Sequence, residues 1–94
     1  MTDEQQLPVP DAATDDPKSV EVLRVWVAGG SQSVVIRVDA WKDPAAWGIV
    51  LADLAKHVSR ALDPEAKDGG ARALERIRAG LDAELDSPTD DYDR

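Results

Sequence analysis

Cysteine is absent from this 94-residue chain, which excludes a disulfide framework, a thiolate nucleophile and a cysteine-ligated metal. Nothing marks an oxidising compartment, so the cytoplasm is the expected address. Long apolar runs are absent too. The longest uncharged apolar stretch, Ala45 to Ala52 counting Gly48, is far too short to cross a bilayer. Met1 to Gln6 hold two acids and no base, so no secretory leader and no membrane partner are expected. Glycines spaced for a phosphate loop or a dinucleotide fingerprint are missing, and no cofactor is expected.

A basic excess is also lacking. The formal charge is −8, and it is unevenly placed. Residues 1–17 carry Asp3, Glu4, Asp11, Asp15 and Asp16 with no base, while 86–94 carry four aspartates against Arg94. Residues 18–85 hold ten bases and ten acids and are neutral. Acidic ends rich in Pro, Thr and Asp bury too little apolar surface to offset ordering entropy, so 1–17 and 87–94 are expected to be disordered tails around one domain, 18–86. A neutral body between acidic ends repels phosphate backbones, and nucleic acid is not an expected partner.

From Val20 to Val27 the chain alternates, with Leu23, Val25 and Val27 on one side and Val22, Arg24 and Trp26 on the other. Gly29-Gly30-Ser31-Gln32 reads as a turn, and Ser33 to Ala40 alternates again through Val34, Ile36 and Val38. The predicted hairpin sets Val27 opposite Val34, Val25 opposite Ile36 and Leu23 opposite Val38, a wholly aliphatic face.

Asp43-Pro44 opens a helix with an N-cap carboxylate and a proline where a missing N–H costs nothing. Trp47, Val50, Leu51, Leu54, Val58, Ala61 and Leu62 then form one stripe, until Asp63-Pro64 ends the run. After a loop at 63–70, a second helix is predicted from Ala71 to about Asp86, with the stripe Leu74, Ile77, Leu81 and Leu85. Gly80 beside that stripe is expected to let the helices approach closely. The fold class is α+β, a hairpin followed by two amphipathic helices (ββαα), with the sheet open to extension by dimerisation.

Val22 to Gly29 (VLRVWVAG), Asp43 to Ala55 (DPAAWGIVLADLA), Ile77 to Leu85 (IRAGLDAEL) and the closing Ser87-Pro88-Thr89-Asp90 resemble a bacterial family of small proteins catalogued as a domain of unknown function. The resemblance covers nearly all of 18–90 and is most distinctive in the Trp-Gly segment of the first helix. It implies a small bacterial α+β protein and brings no catalytic residue with it.

Two constellations are candidates for function. His57, the only histidine, follows Asp53 by four residues, the spacing at which a carboxylate orients an imidazole on one helix face for acid–base work. Its bland counterpart is an amphipathic residue at the stripe's edge, and one histidine with scattered carboxylates makes no metal site. The outer hairpin face is the other. The predicted register puts Arg24 directly opposite Arg37, flanked by Trp26 opposite Val35, with Trp41 nearby at the strand-to-helix joint. Facing like charges cost stability unless each guanidinium reaches an acid, such as Glu21 or Asp39, or both face an anion or acidic partner.

About 68 structured residues cost on the order of 100 kcal/mol in conformational entropy, and a two-stranded sheet is marginal alone. A homodimer is therefore expected, with Arg24, Trp26, Val35, Arg37 and Trp41 as interface or ligand residues. The leading reading is a non-enzymatic dimeric protein-interaction module. Its alternative is a small anionic-ligand binder or enzyme combining Arg24 and Arg37 with Asp53 and His57.

Overall fold

The computed structural model describes residues 5–87, in the order α1 (Asp11–Asp15), β1 (Leu23–Ala28), β2 (Ser31–Ile36), α2 (Pro44–Leu62) and α3 (Ala71–Asp86). The architecture is α+β, an antiparallel two-stranded hairpin followed by two helices. The chain divides into two compact units, Met1–Ala40 and Trp41–Arg94. The acidic end predicted at 87–94 lies outside the described residues beyond Ser87, as do residues 1–4 at the other end.

In the first unit a single helical turn, α1, falls within the stretch read as an acidic tail. Thr14 Oγ1 donates back to the Asp11 carbonyl at 3.0 Å, a local bond of the kind that lets threonine close a short turn. Ser19 Oγ donates to the carbonyls of Ala13 and Asp16 and ties down the exit from this turn.

The hairpin pairs Leu23 with Ile36, Arg24 with Val35, Val25 with Val34, Trp26 with Ser33, Val27 with Gln32, and Ala28 with Ser31. The predicted register is thus corrected by two residues. Its cause is the turn: Gly29 and Gly30 alone make it, at φ +60° and +79°, and Ser31 and Gln32 already belong to β2. A two-residue turn with both central φ values positive matches the right-handed twist of its strands, and glycine adopts it without steric cost. A shift by two preserves the alternation, so Leu23, Val25, Val27, Val34 and Ile36 still share one face.

In the second unit Asp43 caps α2. Its Oδ1 accepts from the Ala45 N–H at 3.0 Å, and Pro44 follows at the first helical position, as the sequence predicts. The start of α3 is built differently. Gly70 is its N-cap at φ +93° and has no side chain to cap with, so Asp68 does the work from two residues upstream. One carboxylate oxygen accepts from the Gly70 N–H at 2.9 Å and the other from the Arg72 N–H at 3.1 Å. Asp68 is held below its ordinary value of 3.8, first by the Gly70 bond and then by the Arg72 bond, because both favour the ionised form.

Helix α2 packs on α3. Ser59 is buried, 3% exposed, and its hydroxyl donates to the Lys56 carbonyl at 2.7 Å. A Cβ added at Gly70 would lie 3.1 Å from the Ser59 carbonyl oxygen, so the close approach predicted at Gly80 occurs at Gly70. Around Gly80 there is open space. Burial gathers at small residues, Ala55, Ser59, Ala66, Gly70 and Ala73, with Leu74 and Ile77 half-buried beside them. Of the predicted α2 stripe, Trp47 and Val50 are half-buried, whereas Leu51, Leu54, Val58 and Leu62 are exposed, as are Leu81 and Leu85 on α3.

Candidate functional site

The Arg24–Trp26 face of the hairpin is assembled by alternation along two short strands. Arg24 and Trp26 project from β1, Val35 from β2, and Arg37 follows directly after β2, with its N–H donating to the Val22 carbonyl at 2.9 Å. The observed register removes the predicted opposition of two arginines. Arg24 faces Val35 and Arg37 faces Val22, so the two arginines are diagonal neighbours rather than directly opposed.

Both arginines turn to one residue, Glu21. The Arg24 guanidinium donates to both carboxylate oxygens of Glu21, through Nε at 3.1 Å and through Nη2 in a close ion pair. This is the bidentate fork that guanidinium and carboxylate planes favour. Arg37 reaches the same residue by another route, its Nε donating to the Glu21 backbone carbonyl at 2.9 Å. The Glu21 carboxyl is held below its ordinary value of 4.5, chiefly by the Arg24 hydrogen bond, with smaller contributions from the charges of Arg24 and Arg37. In return the Glu21 bond raises Arg24 above its ordinary value. Glu21 thus answers the like-charge question that the sequence raises. Asp39, the other acid considered, lines the same shallow cleft of about 440 Å³ with Glu21, Arg24, Val35 and Arg37.

A face of this kind presents two fixed guanidinium groups with their charge partly answered, beside half-buried Trp26 and exposed Val35. Such a mixture suits a partially polar protein contact, where arginine and tryptophan contribute most per residue. An anion would have to compete with Glu21 for Arg24.

Trp41 belongs to the second unit. Its ring meets Trp47 edge to face, with centroids 5.0 Å apart and planes at 82°. This geometry aligns the electropositive edge of one indole with the electron-rich face of the other. Asp53 and His57 lie on α2, both exposed, and no hydrogen bond joins them. Among the described residues no group of three or more His, Asp or Glu is placed to hold a metal ion, and no helix is long and apolar enough to cross a membrane.

What sequence reasoning missed here is the Asp68–Gly70–Ser59 joint. The signal was present as Asp-Gly-Gly immediately before a helix, the composition of a side-chain-capped turn.

With this geometry in hand, the comparisons with known proteins are informative about family and quiet about activity. A family model described as "Domain of unknown function (DUF5076)" matches residues 6–89. No curated protein matches the chain. Among similar solved structures is one described as a "putative pyruvate dehydrogenase from the photosynthetic bacterium Rhodopseudomonas palustrus CGA009". It is 37% identical, with a TM-score of 0.71 over 97% of this chain and 93% of that one, so the two are of nearly equal length.

Proposed function

This chain belongs to that family of unknown function, and from this premise we propose that it is a non-enzymatic, dimeric protein-interaction module. The observation that carries the reading is burial: no apolar side chain among the described residues is buried, and Val25, Val34, Ile36, Leu51, Leu54 and Val58 all stay at least 40% exposed. Apolar side chains left exposed together on a strand face or a helix stripe are what a partner covers.

The hairpin face of Arg24, Trp26, Val35 and Arg37 supplies the contact to another protein, with Trp26 as its anchor.

Size-exclusion chromatography with light scattering tests the reading. Twice the chain mass at micromolar concentration is expected, and a monomeric mass overturns it. Binding of a small anion by Arg24 and Arg37 is the second reading, favoured by their shared face. Inorganic phosphate or anionic metabolites that raise the melting temperature of the parent, but not of Arg37→Ala, would support it over the first.

A further inference from the structure

We infer that β2 is the dimer edge: the β2 strands of two copies pair antiparallel about a two-fold axis centred on Val34, giving a four-stranded sheet in the order β1-β2-β2-β1. The inference rests on the dimer proposed above and names its geometry.

The two edges of the hairpin are not equivalent. Both outer edges are unpaired in the two-stranded sheet, but β1 carries the charged Arg24 and faces an open cavity of about 840 Å³ lined by Leu7, Val9 and Ala13. Beside β2 nothing is paired among the described residues, and all six of its residues are exposed. Unpaired strand edges are templates for further pairing, and proteins that leave them free blunt them with charge, proline or a bulge. β2 has none of these. Its sequence, SQSVVI, holds no charge and no proline, and its pairing with β1 runs without a break from Leu23–Ile36 to Ala28–Ser31.

Charge selects a second copy as the occupant. A chain of −8 resists meeting itself wherever its acids lie. The stretch from Val25 to Ile36, between Arg24 and Arg37, contains no charged residue, so two copies meet there without like-charge contact.

Backbone geometry then selects the register. Arg37 donates its N–H inward to Val22, and hydrogen bonding alternates along a strand, so the N–H and C=O of Gln32, Val34 and Ile36 point to the open edge. Antiparallel pairing about a two-fold axis at Val34 sets Val34 against its own copy and Gln32 against Ile36 at both ends. This register uses every outward group of the strand, whereas sliding by two residues in either direction leaves some unpaired. It also joins the two aliphatic faces, because Val34 and Ile36 share a face with Leu23, Val25 and Val27. Two marginal hairpins become one sheet with a continuous apolar side.

Because the chain has no cysteine, single cysteines report the geometry directly. Paired residues lie about 5.5 Å apart between Cα atoms, within disulfide range. Under mild oxidation of the full chain, Val34→Cys is expected to become a covalent dimer, Gln32→Cys mixed with Ile36→Cys to give the mixed disulfide, and Leu85→Cys on the exposed α3 stripe to stay unlinked. Val34→Pro removes an outward N–H and spares the inner ladder, so it is expected to halve the mass by light scattering. Hairpin amide signals in its nuclear magnetic resonance spectrum should persist. A dimer of the parent that links through Leu85→Cys but not through Val34→Cys overturns the β2 edge and leaves the dimer standing. A monomeric parent overturns both.

Discussion

In the first unit, backbone geometry decides the structure while the side chains remain largely in water. Two glycines at positive φ set the register, a ladder joins the strands, and Val25, Val27, Val34 and Ile36 stay exposed. In the second unit, side chains close the contact. Ser59 is buried against the backbone at Gly70, Asp68 satisfies two N–H groups at the start of α3, and Asp43 satisfies one at the start of α2. The contrast separates two ways of specifying a small structure, by what a turn permits and by what a joint excludes.

The sharpest way to break this contrast is at Gly70. A side chain there is strained by φ +93° and also meets the Ser59 carbonyl oxygen at 3.1 Å. Gly70→Ala is expected to cost about 2 kcal/mol, from unfavourable backbone conformation and forced displacement together. Urea unfolding followed by circular dichroism measures it, and a loss no larger than at Gly30 would mean that the joint is loose.

Gly30→Ala tests the other unit. Its φ of +79° is equally unsuitable for a side chain, yet nothing lies within 4 Å, so only the conformational cost of about 1 kcal/mol is expected. Gly30→Asn should recover part of it, since asparagine tolerates the left-handed region. Hydrogen exchange at the Trp26 and Ser33 amides, which face each other across the ladder, reads this locally.

Asp43→Ala removes the α2 cap and is expected to cost about 1 kcal/mol, with Asp43→Ser close to neutral. This distinguishes a side-chain-specified helix start from one carried by Pro44 alone.

Acid titration gives the smallest effect and compares the units directly. Glu21 in the first and Asp68 in the second both have folded values below their ordinary ones. A depressed carboxylate stabilises the fold above its unfolded pKa, and that contribution disappears as pH falls through the folded value. Stability should therefore be flat above the ordinary values of 4.5 and 3.8 and decline below them. Glu21→Gln should flatten the upper part of the decline and Asp68→Asn the lower. Because both groups are exposed, added salt should weaken the Glu21 contribution in particular.

Much of this was legible in the sequence, and the exceptions have physical reasons. Helix α2 begins and ends where Asp43-Pro44 and Asp63-Pro64 predict, because caps and prolines act over one or two residues, and α3 covers the predicted Ala71 to Asp86. Strand faces were legible because alternation survives a shift of two. Register was not, since Gly-Gly-Ser-Gln accommodates a turn of either two or four residues, and only the pairing decides. The same shift separated Arg24 from Arg37. Glu21 appeared among the candidate acids, but its double role, carboxylate to Arg24 and carbonyl to Arg37, depends on a backbone position that no sequence pattern encodes. Gly80 and Gly70 were indistinguishable as places of close approach until the helices were in position.

The edge-to-face indoles of Trp41 and Trp47 give the second unit an optical identity of its own. Two chromophores held 5.0 Å apart at a steep angle couple electronically, whereas Trp26 is the lone indole of the first unit. Near-ultraviolet circular dichroism of Trp26→Leu would therefore watch the helical unit alone, and the difference from the parent would watch the hairpin. Unfolding of the two halves can thus be timed separately in one cuvette, without attaching a dye.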